Sequence, residues 1–433
     1  IQGGDMIQMY DVTNDVKLRF EIIGVFWTGD TAQITFTDPL GQSQVLPYLF
    51  GLADNGYNIT IISAEKPEKF TLKKDEIARL VVEHNIDWHP ISYTKHPPIL
   101  STMLDVSKMK KLAAKLHQKK NFQLVHCRSY ISSLIGLWMK RKFGTKFLFD
   151  MRGFWADERV DGNIWNLKQP HYRLVYNYFK KKEMQFLESA DHTVSLTYNA
   201  ANEIHQWDNI AHQPIPITVI TCCADLEFFN PEKISQQNSE ELRLKLGIVK
   251  DQFVLSYFGS IGTWYLSDEM LLFYKCLITK FREAVFMICT LENPEIILNK
   301  ARQMNLPIDQ IKIFPVGRNE MPLHVSISNL SLFFIKNSFS KKASSPVKQG
   351  ELMAMGIPMI CNSSVGDVEQ IVNETNCGIV LKELTKSEMM NSINELNSLL
   401  QLSRQQIRNG AQKWYSLQKG VQLYQRVYNS ILK

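Results

Sequence analysis

The sequence predicts an α/β protein with two Rossmann-like domains, whose parallel sheets face each other across a cleft. Three observations lead to this prediction. Short apolar strands alternate with amphipathic helices in both halves, a polar segment separates the halves, and 433 residues suffice for two large domains. The composition, 45% hydrophobic and 21% charged, is that of a globular protein. The net charge of +6 is too small to indicate a nucleic-acid partner.

The first domain is predicted to span residues 18–229. Its first helix, at 41–56, places Val45, Leu49 and Leu52 on one face, as a helix packed on a sheet requires. Apolar runs bounded by turn residues are typical of buried strands. Six such strands are predicted in this half, at 18–27, 57–63, 122–127, 146–151, 192–197 and 217–221.

The polar segment 230–252 is the predicted linker to a second domain at 253–400. Residues 401–433 are predicted to be C-terminal helices that can pack back on the first domain. Residues 1–17 lack the apolar core of a signal peptide and are interpreted as an extension ahead of the first strand. The second domain is predicted to contain strands at 253–259, 284–290, 311–317, 330–335, 357–362 and 378–381.

The seven cysteines indicate a reducing compartment. They form no C-x-x-C pair and several lie in apolar runs, which favours free thiols, a cytoplasmic protein and no metal site. No apolar run approaches the roughly 18 residues that span a bilayer. We therefore expect a cytoplasmic protein, either free or peripheral at the inner face of the cell membrane.

Residues 344–361 combine a helix start with one isolated acid. Pro346 suits a helix start, whereas Gly356 and Pro358 end the helix, so Glu351 lies near its N-terminus. Free backbone N–H groups and the helix dipole favour anions there. Two interpretations follow. In the first, the Glu351 carboxylate only interacts favourably with the positive end of the helix dipole. In the second, the N–H groups hold a phosphate while Glu351 accepts hydrogen bonds from a neighbouring hydroxyl.

Glu351 followed by LMAMGIPMI resembles a motif of retaining glycosyltransferases of family 4, which have the GT-B fold. In these enzymes two glutamates stand eight positions apart, and the later one precedes small and apolar residues and then Gly-x-Pro. The earlier glutamate is replaced by Ala343 in this sequence. The segments DMRGFWADER and GSIGTWYLSDEM resemble a bacterial surface-polysaccharide group of that family. Further matches are DPLGQSQVLPYLFGLADNGYNITIIS, VHCRSY, ITCCADLEFF and SSVGDVEQIV.

The resemblance implies a nucleotide-sugar donor as substrate and no tightly bound cofactor. Glu351 would bind the ribose hydroxyls, and Lys348 would pair with the pyrophosphate unless it is a solvated surface lysine. The backbone N–H groups of Ser345 and Val347 would cradle phosphate. The other donor-site candidates are glycines that allow close approach and hydroxyls after the strand at 253–259. They are Gly41, Gly259, Ser260 and Thr263.

The segment DMRGFWADER follows a predicted strand, so its charged residues can edge the cleft. Arg152 stands about where many family members have a histidine, and it would orient an acceptor or stabilise the departing phosphate. The simpler interpretation is an arginine–carboxylate pair that fixes a loop. The predicted catalytic residues are Arg152, Asp157 and Glu158. The predicted acceptor contacts are His126, Arg128 and Arg159, although a buried histidine with structural hydrogen bonds is an alternative for His126.

Residues 106–149 contain eleven Lys and Arg residues and no Asp or Glu. Their densest part, at 108–120, predicts a basic amphipathic helix. It is either a solvated face or a docking surface for anionic lipid, where each lysine contributes about 1 kcal/mol.

The combined pattern indicates a hexosyl-type glycosyltransferase, in EC class 2.4, that acts in cell-surface polysaccharide synthesis. The resemblance implies transfer with retention to a glycan or lipid-linked acceptor, with the donor phosphate taking the acceptor proton. Two alternatives remain open. One is a GT-B nucleotide-sugar epimerase, which needs acid and base groups near the sugar. The other is a non-catalytic GT-B partner subunit, which Ala343 favours.

Overall fold

The computed structural model describes residues 20–26, 36–97 and 99–433. Its described part contains two parallel sheets, each wrapped by helices, so the predicted α/β architecture of two Rossmann-like domains is confirmed. The predicted extension at 1–17 lies outside the described residues.

The first sheet has seven described strands in the order β3-β2-β1-β4-β5-β6-β7, and all neighbours are parallel. Strand β4, with the sequence LVHCR, is buried along its whole length because helices cover both faces of such a sheet. The strands are β1 Glu21–Phe26, β2 Asn58–Glu65, β3 Asp87–Ser92, β4 Leu124–Arg128, β5 Lys146–Asp150, β6 His192–Ser195 and β7 Ile217–Val219.

The second sheet has six described strands, again all parallel, in the order β10-β9-β8-β11-β12-β13. The six predicted strands of this half all appear. They are β8 Val254–Phe258, β9 Val285–Cys289, β10 Ile311–Phe314, β11 Leu330–Phe333, β12 Met359–Asn362 and β13 Gly378–Leu381.

Eighteen α-helices lie in the described part of the chain, and most connect consecutive strands. In the first half they are α1 Pro39–Gln44, α2 Leu46–Asp54, α3 Pro67–Glu83, α4 Leu100–Lys120, α5 Ser129–Phe143, α6 Trp155–Asp161, α7 Pro170–Ser189, α8 Tyr198–His205 and α9 Asp208–Ala211. In the second half they are α10 Gln236–Lys245, α11 Ser267–Leu277, α12 Pro294–Gln303, α13 Met321–Ser326, α14 Val347–Ala354, α15 Val368–Thr375, α16 Lys386–Leu400, α17 Arg404–Trp414 and α18 Leu417–Leu432.

The strand order reverses between β1 and β4 in the first sheet and between β8 and β11 in the second. In open parallel sheets, ligands bind beyond the carboxyl ends of the strands at such a reversal. A ligand site is therefore expected in the crevice beyond these strand ends.

Strand β3 was not predicted, because Pro90 interrupts the run Asp87–Ser92. Proline cannot donate to a sheet ladder and is tolerated at sheet edges. The structure places β3 at the edge of the first sheet, beside β2 alone.

The two last helices belong to different cores. Ile407 and Ala411 of α17 pack in the core of the second domain, whereas Tyr424 and Tyr428 of α18 pack in a core of the first domain. The segment 230–252 contains α10, and its Leu242 packs in the second core. The domain boundaries proposed from the sequence stay predictions.

The contact of α18 with α2 is tight at Gly51. A Cβ atom at this position would lie 2.6 Å from Cγ2 of Val421. Gly51→Ala should lower the free energy of unfolding by about 1–3 kcal/mol because the added methyl overpacks the interface. Alanine is otherwise about 1 kcal/mol better than glycine inside a helix. Urea denaturation tests the prediction, and an unchanged or raised stability would contradict it.

Candidate functional site

Charged residues collect at the carboxyl ends of β4 and β5, beside the strand-order reversal. Arg128 is the last residue of β4, Asp150 the last of β5, and Arg152 lies two residues beyond. All three side chains are at most 8% exposed. The structure thus brings together two predicted site residues, Arg128 and Arg152, around a carboxylate that the sequence analysis did not single out.

The turns after these strands have unusual backbone conformations. Ser129 has φ 70° and Arg152 has φ 57°, both in the left-handed region, and Gly153 follows with φ 125°. Non-glycine residues held in sparsely populated conformations cost about 1–3 kcal/mol each and cluster at functional sites. The turn at Arg152 leaves its Nε 4.0 Å from Oδ1 of Asp150.

Asp150 is the acceptor at the centre of this group, which we call the arginine cluster (His126, Arg128, Asp150 and Arg152). Its Oδ2 accepts hydrogen bonds from the Tyr424 hydroxyl at 3.0 Å, His126 Nε2 at 3.4 Å and Arg128 Nη1 at 3.5 Å. Burial alone would raise the pKa of Asp150, but Arg152, His126 and Arg128 lower it to about 2. Asp150 is therefore ionised at neutral pH.

The arginine cluster retains unused donors. Arg128 Nε and Arg152 Nη1 are buried, and neither has a hydrogen-bond partner among the described residues. Oε1 of Gln44, in the same cavity wall as Arg128, is likewise unpaired within the described ranges. Two guanidinium groups thus face the Asp150 carboxylate, and an incoming anion could use the remaining donors.

The arginine cluster extends to the second domain through Cys222. Arg152 Nη2 donates to Sγ of Cys222 at 3.1 Å, and the Cys222 N–H donates to Oγ of Ser345 at 3.1 Å. Ser345 directly precedes Pro346, the N-cap residue of α14. Cys222 therefore connects Arg152 of the first domain with Ser345, which lies just before α14 of the second domain.

The N-terminus of α14 has the character expected of an anion site. Pro346 provides no side-chain cap, and Val347 is the first helical residue. Lys348 Nζ donates to the Tyr257 hydroxyl at 3.1 Å and lies 3.6 Å from the centre of the Tyr265 ring. Burial lowers the pKa of Lys348 well below its usual value, and Glu351 only partly opposes this shift.

The backbone conformation favours glycine at 259, where Lys348 passes close to the chain. A Cβ atom there would lie 2.9 Å from Lys348 Nζ, and the φ of 133° suits only glycine. Ser260 and Thr263 are exposed in the loop that follows, and the Ser260 carbonyl accepts a hydrogen bond from Tyr257 at 2.5 Å. Gly41 is buried in α1.

Glu351 forms an ion pair that the sequence analysis missed. Its Oε1 accepts a hydrogen bond from Arg318 Nη1 at 2.5 Å, and the guanidinium also lies 4.9 Å from the centre of the Phe229 ring. Burial raises the pKa of Glu351, and Arg318 partly offsets this effect. The position of Arg318 directly after the predicted strand 311–317 is the sequence feature that could have marked it as a candidate site residue.

The other predicted residues of DMRGFWADER have partners outside the arginine cluster. Asp157 accepts hydrogen bonds from the Tyr176 hydroxyl at 2.8 Å and Lys180 Nζ at 2.9 Å, which ties α6 to α7. Glu158 pairs with Lys341 of the second domain at 2.8 Å. The Arg159 guanidinium lies 5.0 Å from the centre of the Trp155 ring. These contacts occupy part of each side chain, and the catalytic roles of Asp157 and Glu158 and the acceptor role of Arg159 stay predictions.

Asp367, which the sequence analysis also did not single out, joins the domains on one side of the crevice. Its carboxylate accepts hydrogen bonds from the backbone N–H groups of Tyr198 at 2.7 Å and Asn199 at 3.0 Å, at the start of α8. The adjacent Gly366 has φ 44°, and a Cβ there would lie 2.0 Å from the Ser344 carbonyl oxygen. The turn at 363–367 therefore packs directly on the approach to α14.

Within the described ranges, no three His, Cys, Asp or Glu side chains are grouped closely enough to hold a metal ion. No described helix combines the length and apolar character that a membrane span requires.

Asp150 should make a large, pH-dependent contribution to stability. Its folded-state pKa of about 2 lies below the usual aspartate value, so its ionised form stabilises the fold above about pH 4, and this stabilisation is lost as the pH falls towards 2. Asp150→Asn should cost about 3–5 kcal/mol at pH 7, because it removes one partner of a buried ion pair. In urea denaturation the difference in free energy of unfolding from wild type should narrow as the pH falls from about 4 to about 2. If the difference in free energy of unfolding stays constant over this pH range, Asp150 does not compensate the charges of Arg128 and Arg152.

Comparisons with known proteins bear on the family and the fold of this chain. Residues 48–228 match the model of the family described as Glycosyltransferase Family 4, whereas a search of curated proteins finds no match. Among solved structures, a glycosyltransferase from Rickettsia africae has a TM-score of 0.69 at 14% identity, over 96% of this chain and 99% of that one. Anabaena HepE in complex with UDP and glucose has a TM-score of 0.66 at 13% identity, over 95% and 100%.

A third solved structure has a different activity. The UDP-GlcNAc 2-epimerase from Neisseria meningitidis, bound to UDP-GlcNAc, has a TM-score of 0.56 at 11% identity, over 95% of this chain and all of that one. At these identities the structural likeness establishes the fold alone. The predicted GT-B fold is thus confirmed for the described chain, and the resemblance to family 4 glycosyltransferases is supported by the family match over residues 48–228.

Proposed function

We propose that this protein is a hexosyl-type glycosyltransferase that moves a sugar, with retention, from a nucleotide-sugar donor to a glycan or lipid-linked acceptor. The proposed setting is cell-surface polysaccharide synthesis. The observation that carries the proposal is the position of Glu351 and Lys348 on α14, whose N-terminus lies beside Arg152 of the other domain. The family match over residues 48–228 supports it.

The donor would lie across the start of α14. Glu351 would accept hydrogen bonds from the ribose hydroxyls through Oε2, or through both oxygens if Arg318 moves aside. Lys348 and the N–H groups of Val347 and Lys348 would hold the pyrophosphate. A phosphate near Lys348 would also favour its protonated form, since burial lowers the pKa of this amine in the unliganded protein.

The arginine cluster would act on the sugar–phosphate bond. As this bond breaks, negative charge grows on the leaving phosphate, and the unused donors of Arg128 and Arg152 would stabilise it. The acceptor hydroxyl would attack the same face of the sugar, and its proton would pass to the departing phosphate. The protein would then contribute position and charge, and closure of the domains on the donor would exclude water.

His126 has a structural place in this scheme. Its Nδ1 is 2.8 Å from the Tyr428 hydroxyl and its Nε2 faces Asp150, so both ring nitrogens have partners. It would shape the acceptor side of the crevice by holding Asp150.

The donor base is proposed to be uracil. Support comes from Anabaena HepE, whose structures contain UDP with glucose and UDP-glucose, and from the epimerase bound to UDP-GlcNAc. Thermal-shift measurements with UDP, GDP and ADP test the base. Stabilisation by UDP with slow release of sugar from a UDP-sugar supports the transferase. Isomerisation of the sugar would indicate an epimerase, and no stabilisation by any nucleotide would indicate a non-catalytic subunit.

Glu351→Gln should weaken UDP binding about tenfold or more, because a neutral amide accepts weaker hydrogen bonds from the ribose than a carboxylate does. Isothermal titration measures the change. The matched control is Glu369→Gln, which removes an acid from the first turn of the next helix, α15. If the two variants weaken UDP binding equally, Glu351 interacts only with the helix dipole and does not bind the ribose.

We also propose a peripheral position at the cytoplasmic face of the membrane. Lys110 and Lys142 flank the Trp138 ring at 5.8 and 5.2 Å, so α4 and α5 present lysines together. Met103 and Leu104 of α4 are more than half exposed. Basic and apolar side chains on one helix are typical of surfaces that bind anionic lipid.

The double substitution Lys110→Glu, Lys111→Glu should abolish salt-sensitive binding to vesicles that contain phosphatidylserine, since each lysine contributes about 1 kcal/mol near such a surface. Vesicle co-sedimentation at low and high salt measures binding. The control is Lys73→Glu, Lys74→Glu on α3. Binding that survives the α4 change would refute this surface.

A further inference from the structure

We propose that Tyr424, on the C-terminal helix α18, is a positioning residue that fixes Asp150 and, through Asp150, the guanidinium groups of Arg128 and Arg152. The kinetic part of this inference rests on the proposed function, whereas its structural part does not. The C-terminal helix would thereby set the geometry of a charged group on the first domain.

The hydrogen bond from Tyr424 is the shortest that Asp150 Oδ2 accepts. The Tyr424 hydroxyl lies at 3.0 Å, whereas His126 Nε2 and Arg128 Nη1 lie at 3.4 and 3.5 Å. Hydrogen bonds near 3.5 Å are at the edge of useful geometry. The tyrosine therefore supplies the best-formed contact that holds this carboxylate in one orientation.

The Tyr424 ring has little freedom to move. It packs edge-on against Tyr48 with ring centres 5.5 Å apart, and Tyr48 is itself held by hydrogen bonds to the Thr221 carbonyl and from the Cys223 N–H. A Cβ at Gly420, one turn earlier in α18, would lie 2.8 Å from the Tyr48 ring. The helix thus sits close enough to the first domain to place one hydroxyl accurately.

Tyr424 acts through Asp150 and does not touch the reacting atoms. Its side chain is 2% exposed, and its hydroxyl points at a carboxylate that is itself 1% exposed. Burial, with the nearby Asp150 charge, raises the pKa of Tyr424 well above its usual value. The hydroxyl therefore remains a donor at neutral pH and stabilises ionised Asp150.

The first test is kinetic and uses Tyr424→Phe, which keeps the ring and removes the hydroxyl. With UDP-glucose as the probe donor, or whichever UDP-sugar wild type hydrolyses, kcat should fall about tenfold while the donor KM changes less than twofold. The control is Tyr57→Phe, which removes a hydroxyl that bonds Asn429 at the same helix interface. In an Asp150→Asn background, Tyr424→Phe should cause no further loss. The inference is overturned if Tyr424→Phe has the kcat of wild type. It is also overturned if Tyr424→Phe lowers kcat as much in the Asp150→Asn background as it does in wild type.

The second test does not depend on catalysis. The side-chain ¹⁵Nε signals of Arg128 and Arg152, assigned with Arg→Lys variants, should report rigid groups in wild type and Tyr57→Phe and mobile groups in Tyr424→Phe. Rigid arginines in Tyr424→Phe would refute the positioning role, whatever the enzyme's activity. Mobile arginines in a protein without transferase activity would support the positioning role while the proposed function fails.

Discussion

The interaction on which the site depends is the buried contact of Asp150 with Arg128 and Arg152. A buried carboxylate and two buried guanidinium groups are stable only when they compensate each other. This contact joins three parts of the chain: β4 and β5 supply Arg128 and Asp150, the strained turn after β5 supplies Arg152, and α18 supplies the Tyr424 hydroxyl. The charge that would meet a phosphate is therefore fixed before any ligand enters.

The second domain completes the crevice by direct contacts with the first. Glu158 and Lys341 form an ion pair across it, Asp367 accepts two backbone N–H groups of α8, and Ser345 bonds Cys222 next to Arg152. These contacts surround the N-terminus of α14. They hold a helix end that attracts anions close to the arginines of the other domain.

Much of the fold follows from the sequence, because strands buried on both faces are continuous apolar runs. The site follows less completely, because its pairs join distant positions. Glu351 was recognisable from the motif that surrounds it, but Arg318 is 33 residues away and meets it only in the folded chain. Asp157 was placed at the crevice because it follows β5, yet helix α6 turns it towards α7. Helix rotation of this kind is not encoded in the distance from a strand end.

We propose that a nucleotide-sugar binds with its ribose at Glu351 and its pyrophosphate between the start of α14 and Arg152. The most direct measurement is a crystal structure of the protein with bound UDP. In that structure the ribose hydroxyls should lie within hydrogen-bond distance of the Glu351 carboxylate, and the phosphate oxygens should lie near Lys348 and the N–H groups of α14. UDP bound elsewhere would refute this placement. So would a complex in which Arg318 remains paired with Glu351 and the ribose is directed away from it.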